Sequence, residues 1–329
     1  MESSSVASSG VLTKLLTFNP AYKSWKILIL VASYTYLGYK LLTFHQYDTL
    51  AMQWEKTPLS QIWWLAGVIA LLPLNWLLEA VKWKMLTARV QNITLNNSVK
   101  AVLSGISTGF FTPNRVGELV GRIAFLEPEN RKAGVTLSIV NSITQNIVMA
   151  LYGIPACILF FVYTSGKLHP DINRFTGLAM IGILIAGLIL LTLPRWNWKL
   201  RTSKIYNYLK TYTDCLSAYN LKDLVRIVGI SMLRYAVFCV QLYCMLRFFN
   251  IALTPWQAVM SIPTTYLLVT FTPSLSFSEA AVRSSYAVLI IGAFSGQVVN
   301  IALTGVCIWA VNFIIPMLIG SVVMIRKSV

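Results

Sequence analysis

Long apolar runs separated by short polar or basic connectors set the pattern of this chain. Six of them, near 27–44, 61–80, 134–163, 176–194, 227–249 and 298–325, reach the roughly 20 residues that a helix needs to cross a hydrocarbon core. Two more, 96–125 and 255–295, are broken by Gly, Pro and charge. Irregular backbone at membrane depth is tolerated only where protein or a water-filled cavity surrounds it. Those two segments therefore read as hairpins that dip in and return to the same side. The pattern predicts an all-α integral membrane protein, a single domain over 1–329 with about six spanning helices and two re-entrant helical hairpins. An ordinary eight-helix bundle with two kinked spans is the plainer alternative.

The chain also resembles itself. Shifted by 160 residues, 84–113 lies without a gap over 244–273, and seven of the thirty positions are identical. The matches include Thr94 with Thr254 and the whole Phe-Thr-Pro triplet, 111–113 with 271–273. Just beyond, "ELVGR" (118–122) parallels "EAAVR" (279–283), each with Glu and Arg one helical turn apart. The halves are repeat 1 over 61–163, with hairpin 96–125, and repeat 2 over 226–325, with hairpin 255–295. The first hairpin is reached from the basic connector 82–100, the second from the far end of span 227–249, so the repeats are expected to have inverted topology, a feature of transporters.

Composition agrees with the membrane and supplies the orientation. The chain is 56% hydrophobic and only 12% charged, about half the charged fraction of a soluble domain. Its net charge of +16 suggests nucleic acid until the charges are placed. With the N-terminus inside, inner segments hold 18 of the 27 Lys and Arg, and the outer loops 45–60 and 164–175 hold three. Both termini are then cytoplasmic and no nucleic-acid partner is implied. The Ser-rich lead is long for the n-region of a signal peptide and no small-residue cleavage site follows the first span, so that span is expected to be retained. The stretch 195–226 nets +5 and interleaves Trp and Tyr with Lys and Arg. It suits a basic amphipathic helix on the cytoplasmic leaflet, against a plain solvated loop. Four of the five Cys fall in spans and Cys215 in a loop; none has zinc-site spacing, so no metal or other cofactor is expected.

The candidate chemistry lies at the hairpins. Thr112 or Thr272 can cap a half-helix opened by Pro113 or Pro273, and Ser276 with Glu279 has capping-box spacing. Such an opening presents free N–H groups to an anion. Arg115 follows in the first turn and Arg122 two turns on, and arginine suits bidentate phosphate contacts. The lipid-phosphate set is then Thr112, Asn114, Arg115, Arg122 and Arg283. Glu118 and Glu279 are positioning or coupling residues, and Pro113, Gly117 and Pro273 form the hairpin turns. The Glu118–Arg122 and Glu279–Arg283 spacings equally fit self-satisfied ion pairs, whereas Arg115 has no evident carboxylate partner. A lone arginine in the membrane is a functional candidate by default. Asn141 and Gln145 fit a polar path or interhelical hydrogen bonds. Asn75, Glu79 and Lys82 are expected at the cytoplasmic end of the second span with Lys82 snorkelling, and Arg234 and Arg247 are expected to do the same. His45 and His169 are loop residues.

"GFFTPNRVGELVGR", followed by a long span and by Glu-x-x-x-Arg in the second half, resembles the flippase-like membrane region of lysylphosphatidylglycerol synthases, the multiple peptide resistance factor family. The likeness runs over roughly 20–325. It differs where "PSLSFSEAAVR" replaces a glycine-rich turn and where "VNSITQN" replaces a Glu-Arg pair. The resemblance implies movement of a lipid between leaflets, with aminoacyl transfer belonging to a separate cytosolic domain. As the chain ends at Val329, the expectation is a stand-alone member without that domain.

The leading expectation is thus a flippase or transporter of a phosphate-bearing lipid: an aminoacylated phospholipid, a glycolipid or a polyprenyl-phosphate-linked lipid, in the cell (inner) membrane. The alternative is a non-catalytic membrane partner of a lipid or envelope-glycan biosynthetic enzyme. Besides lipid, such an enzyme and a second copy of the chain (a homodimer) stand as partners. A membrane lipid-modifying transferase fits least, because all four Asp (48, 171, 214, 223) lie in loops and none is in an Asp-x-Asp pair. No enzymatic activity is expected.

Overall fold

The computed structural model describes residues 61–112, 115–164, 219–272 and 276–326, together with Thr35. The expected spans 27–44 and 176–194, most of the linker 195–226, both termini and residues Asn114, Pro113 and Pro273 lie outside the described residues. Nine α-helices are described: α1 (Ile62–Thr87), α2 (Leu95–Phe110), α3 (Gly117–Ile123), α4 (Arg131–Thr164), α5 (Leu221–Phe248), α6 (Pro255–Phe271), α7 (Ser276–Ile291), α8 (Val298–Trp309) and α9 (Ile315–Arg326). A 3-10 turn, Pro128–Asn130, precedes α4, and a π-helical turn, Ala310–Ile314, joins α8 to α9. No strand occurs among the described residues. Four helical stretches are long and apolar enough to cross a membrane: Ile62–Thr87, Pro128–Thr164, Lys222–Phe248 and Val298–Arg326.

The 160-residue shift carries into local geometry. Thr94 and Thr254 both have extended backbone (φ −68, ψ 155 and φ −65, ψ 156), and each hydroxyl accepts the N–H three residues on, satisfying one of the orphan donors at a helix start. α2 and α6 therefore begin at matching positions. The helices before them, α1 and α5, pair antiparallel. At one end Gln61 Nε2 donates to Asn250 Oδ1 (3.1 Å), and at the other Arg89 meets Asp223 (3.0 Å). Hence α2 and α6 start from opposite ends of this pair.

Each helix pair beyond them comes back to the end it left. Gln91 Oε1 accepts from the Glu127 N–H (2.9 Å), just past α3. Asn300 Nδ2 of α8 donates to the Phe249 carbonyl (3.2 Å), just before α6. Glycine makes the first pair tight. Gly105 and Gly109 on α2 face Gly117 and Gly121 on α3, and a Cβ on Gly121 would stand 2.5 Å from the Ser104 carbonyl. Small residues four apart let two backbones approach this closely, gaining dispersion contact where burial from water offers little. Across the pair, the Thr108 hydroxyl donates to the Gly117 carbonyl (2.7 Å).

The two halves interlock. α2 packs on α9, from the other half, and α6 packs on α4 in the same exchange. The largest apolar cluster joins α1, α4, α5, α6, α7 and α8, with Val68, Met245, Ile251 and Ile301 fully or almost fully buried. The described helices thus form one body around the space between the two hairpins.

Candidate functional site

A cavity of about 440 Å³ opens where α1, α3, α4, α5, α6, α7 and the π-turn converge. Its wall includes Arg115, Arg122, Arg234 and Arg283 and three carboxylates, Glu79, Glu118 and Glu279, so it carries net positive charge. The first hairpin brings Arg115, Glu118 and Arg122; the second brings Glu279 and Arg283. Asn141 and Gln145 of α4 line the same space. Of the described residues expected at the site, only Thr112 and Gly117 stay behind the wall.

Those two build the hairpin tip. α3 opens at Gly117 with Val116 as its N-cap and runs for seven residues. Thr112 acts across the turn: its Oγ1 accepts the Gly117 N–H (2.7 Å) and donates to the Gly109 carbonyl (3.0 Å). Gly117 closes the tip as the first residue of α3. It is needed because a Cβ there would overlap the Thr108 carbonyl. The left-handed position belongs to Arg115, at φ 58, an unusual conformation for a residue with a side chain.

That backbone corrects the expectation for Arg115. Its guanidinium is not alone but pairs with Glu118 at 2.7 Å. Glu118 divides its two oxygens, Oε1 to Arg115 and Oε2 to Arg122 (3.1 Å). In the second hairpin, Arg283 turns Nε (3.1 Å) and Nη2 (2.6 Å) onto one oxygen of Glu279. Both Glu-x-x-x-Arg pairs thus form.

The larger correction concerns Glu79, Lys82 and Arg234. Lys82 does not snorkel: it is fully buried, and Glu79 is 1% exposed. α1 continues past 80 to Thr87, so these residues sit inside the helix. Glu79 is a hub for three cations. Arg122 reaches its Oε1 at 2.6 Å, and Arg234 and Lys82 reach its Oε2 at 2.9 and 3.3 Å. Asn141 Nδ2 adds a bond to Oε1 (2.7 Å), and Asn75 Oδ1 takes the Arg234 Nε (2.8 Å). Gln145 accepts weakly from Arg234 (3.4 Å). Burying charge is tolerated only when it is paired and hydrogen-bonded, and the hub supplies this from α1, α3, α4 and α5. Arg247 instead rests its guanidinium over Trp64, 5.5 Å from the ring centre.

Sequence reasoning missed Glu79, Arg234 and Phe313 as site residues. Asn75, Glu79 and Lys82 did carry a signal, since their spacing puts one polar stripe on a single face of α1. Phe313 had none. Four buried polar atoms of wall residues lack a hydrogen-bond partner among the described residues: Glu79 Oε2, which is held by ion pairing with Arg234 and Lys82, and Arg122 Nη1, Arg115 Nε and Asn141 Oδ1. Apart from the ion-paired Glu79 oxygen, two donors and an acceptor are thus left unsatisfied around the cavity. No group of three or more His, Cys, Asp or Glu suited to a metal occurs among the described residues.

No curated protein matches the chain, and no solved structure does. A family model, the lysylphosphatidylglycerol synthase TM region, matches residues 25–320. Since that match covers nearly the whole length, and the helices and charged motifs fall inside it, the chain belongs to the family of the lysylphosphatidylglycerol synthase TM region.

Proposed function

We propose that this protein moves a phosphate-bearing lipid between membrane leaflets, the cargo being an aminoacylated phospholipid, a glycolipid or a polyprenyl-phosphate-linked lipid. One observation carries the reading: a net-positive cavity of about 440 Å³ in which four arginines face three carboxylates, enclosed by helices long and apolar enough to cross a membrane. Ionisable groups at such depth mark substrate or ion pathways by default. The volume lies toward the small end of ligand pockets. It suits a headgroup, with the acyl or prenyl tails left in the bilayer.

In this reading α2–α3 and α6–α7 are re-entrant hairpins of an inverted repeat. Their departure from opposite ends of the α1–α5 pair, and the return of each to its own end, supports it. Arg115 and Arg122 meet the phosphate from one hairpin and Arg283 from the other. Glu118 and Glu279 hold these arginines when the cavity is empty and yield them to the phosphate when it is filled. The carboxylates thereby offset the cost of isolated charge in the unloaded state.

The test is mass spectrometry of lipids retained by the gently purified protein, native beside Arg115→Ala. Enrichment of one phosphate-bearing class in the native sample, lost in the variant, is the expected result. A profile equal to the bulk membrane in both samples would refute the phosphate site. A second reading, a membrane partner of a biosynthetic enzyme, is favoured by the fact that all four arginines already have carboxylate partners. It requires that Arg115→Ala leave function intact while changes within 195–226 abolish it.

A further inference from the structure

The last span is interrupted by the π-turn Ala310–Ile314, which adds a residue to one turn and so resets the register of α9. Phe313 sits in that turn, 6% exposed. It packs in a small cluster with Trp309, Met317 and Phe110, the last residue of α2, and Ala280 of α7 lies against the cluster. The π-turn is therefore in touch with both hairpins.

Two guanidiniums rest on this one ring. Arg115, from the first hairpin, places its Cζ 4.4 Å from the ring centre. Arg283, from the second, places its Cζ at 4.9 Å. Together the two distances bound the separation of the guanidinium carbons at about 9.3 Å. Like charges this close repel, and each arginine has its own carboxylate elsewhere, so nothing in the ion pairing requires them to share a ring. Stacking on an aromatic face is attractive for arginine and fixes where its donors point. A phosphate gripped by two guanidiniums, each through N–H···O contacts of about 2.8 Å, would hold their central carbons roughly 8 Å apart. The ring keeps the two cations within range of that distance. Arg115 Nε is also buried without a partner among the described residues.

We propose that Phe313 is a positioning residue that joins Arg115 and Arg283 into one phosphate site, so that a single headgroup phosphate is held by both hairpins at once. The inference rests on the lipid-transport reading and deepens it. The phosphate is not passed between two separate stations; it occupies one bridged station midway, and the π-turn sets the gap.

The test is a binding cycle with short-chain phosphatidylglycerol as the probe, titrated calorimetrically into the full chain in detergent. Arg115→Lys, Arg283→Lys and the double variant are measured in the native background and with Phe313→Met, which keeps most of the volume and removes the ring face. In the native background each single change should weaken binding roughly 10-fold, the scale of a lost charge-assisted contact. The double variant should stay near that value and fall well short of the product of the two, because both arginines serve one phosphate. Phe313→Met should itself weaken binding roughly 10-fold and leave each arginine change worth about 2-fold or less. Phe313→Tyr, which restores the ring face, should bind within about 2-fold of native. A space-filling role alone would shift the melting temperature without changing the coupling. Multiplicative arginine effects in the native background would overturn the bridged site whether or not Phe313→Met folds, and so would native affinity in Phe313→Met. Failure of the native protein to bind the probe would overturn both the bridge and the phosphate reading beneath it.

Discussion

Neutralising the hub carboxylate by Glu79→Gln tests the architecture of the site. The substitution preserves shape and leaves an oxygen that can accept from Arg122 or Asn141. It removes the one negative charge that Arg122, Arg234 and Lys82 share at 2.6, 2.9 and 3.3 Å. Breaking a buried pair by removing one partner costs about 3–5 kcal/mol. Here three cations are left around the former carboxylate, and at roughly 6 Å and an effective dielectric of about 20 each pair repels by about 3 kcal/mol. The loss should therefore lie toward the upper end of that range. At roughly 2–4 °C per kcal/mol this is a fall of about 10–20 °C in the melting temperature of the purified protein in detergent. Adding Lys82→Met removes one buried cation and should return about half of the loss, whereas Lys82→Met alone should cost less than Glu79→Gln. The reasoning fails if Glu79→Gln melts within about 2 °C of native, or if Lys82→Met deepens its loss.

Packing and sidedness offer two further checks. Gly320→Ala would drive a methyl group into the Leu103 carbonyl of α2 and should cost about 1–3 kcal/mol as overpacking. Gly229→Ala in α5, with nothing within 4 Å of the new methyl, should be neutral or stabilising by up to about 1 kcal/mol in the same melting assay. In a variant lacking the native cysteines, Asn92→Cys and Gly296→Cys, both at exposed positions, should react with a membrane-impermeant maleimide from opposite sides of sealed vesicles. Labelling from one common side would rule out the inverted repeat.

Much of this was legible along the chain because it depends on neighbours in sequence. The duplicated Thr94 and Thr254 mark the starts of α2 and α6, since a cap is a local event, and the two Glu-x-x-x-Arg pairs follow from helical spacing. The Glu79 hub was not legible. A hydropathy window ends a span at its first charges, and only the arrival of Arg122 and Arg234 from distant helices makes it favourable for α1 to carry Glu79 and Lys82 in its interior. Arg115 illustrates a different limit. Its pairing with Glu118 runs through a left-handed turn, a conformation that side-chain spacing on a regular helix does not anticipate. Phe313 lies in an apolar run broken by Asn312 and Pro316; the proline withholds the N–H that the Asn312 carbonyl would accept, which marks a disturbed helix but not the ring that two arginines share.

The exchange of partners between halves, α2 against α9 and α6 against α4, also bears on how the protein is assembled. The flank of α2 that Gly320 closes is synthesised more than 200 residues before Gly320 itself. While translation proceeds, the first hairpin, with its arginines and glutamates, waits with that side uncovered. The final helix is a keystone: its arrival completes an element made near the start, and losing it would be felt first at α2 rather than at the chain's end. Each half thus supplies a packing surface that the other needs, and the charged interior is closed only when both are in place.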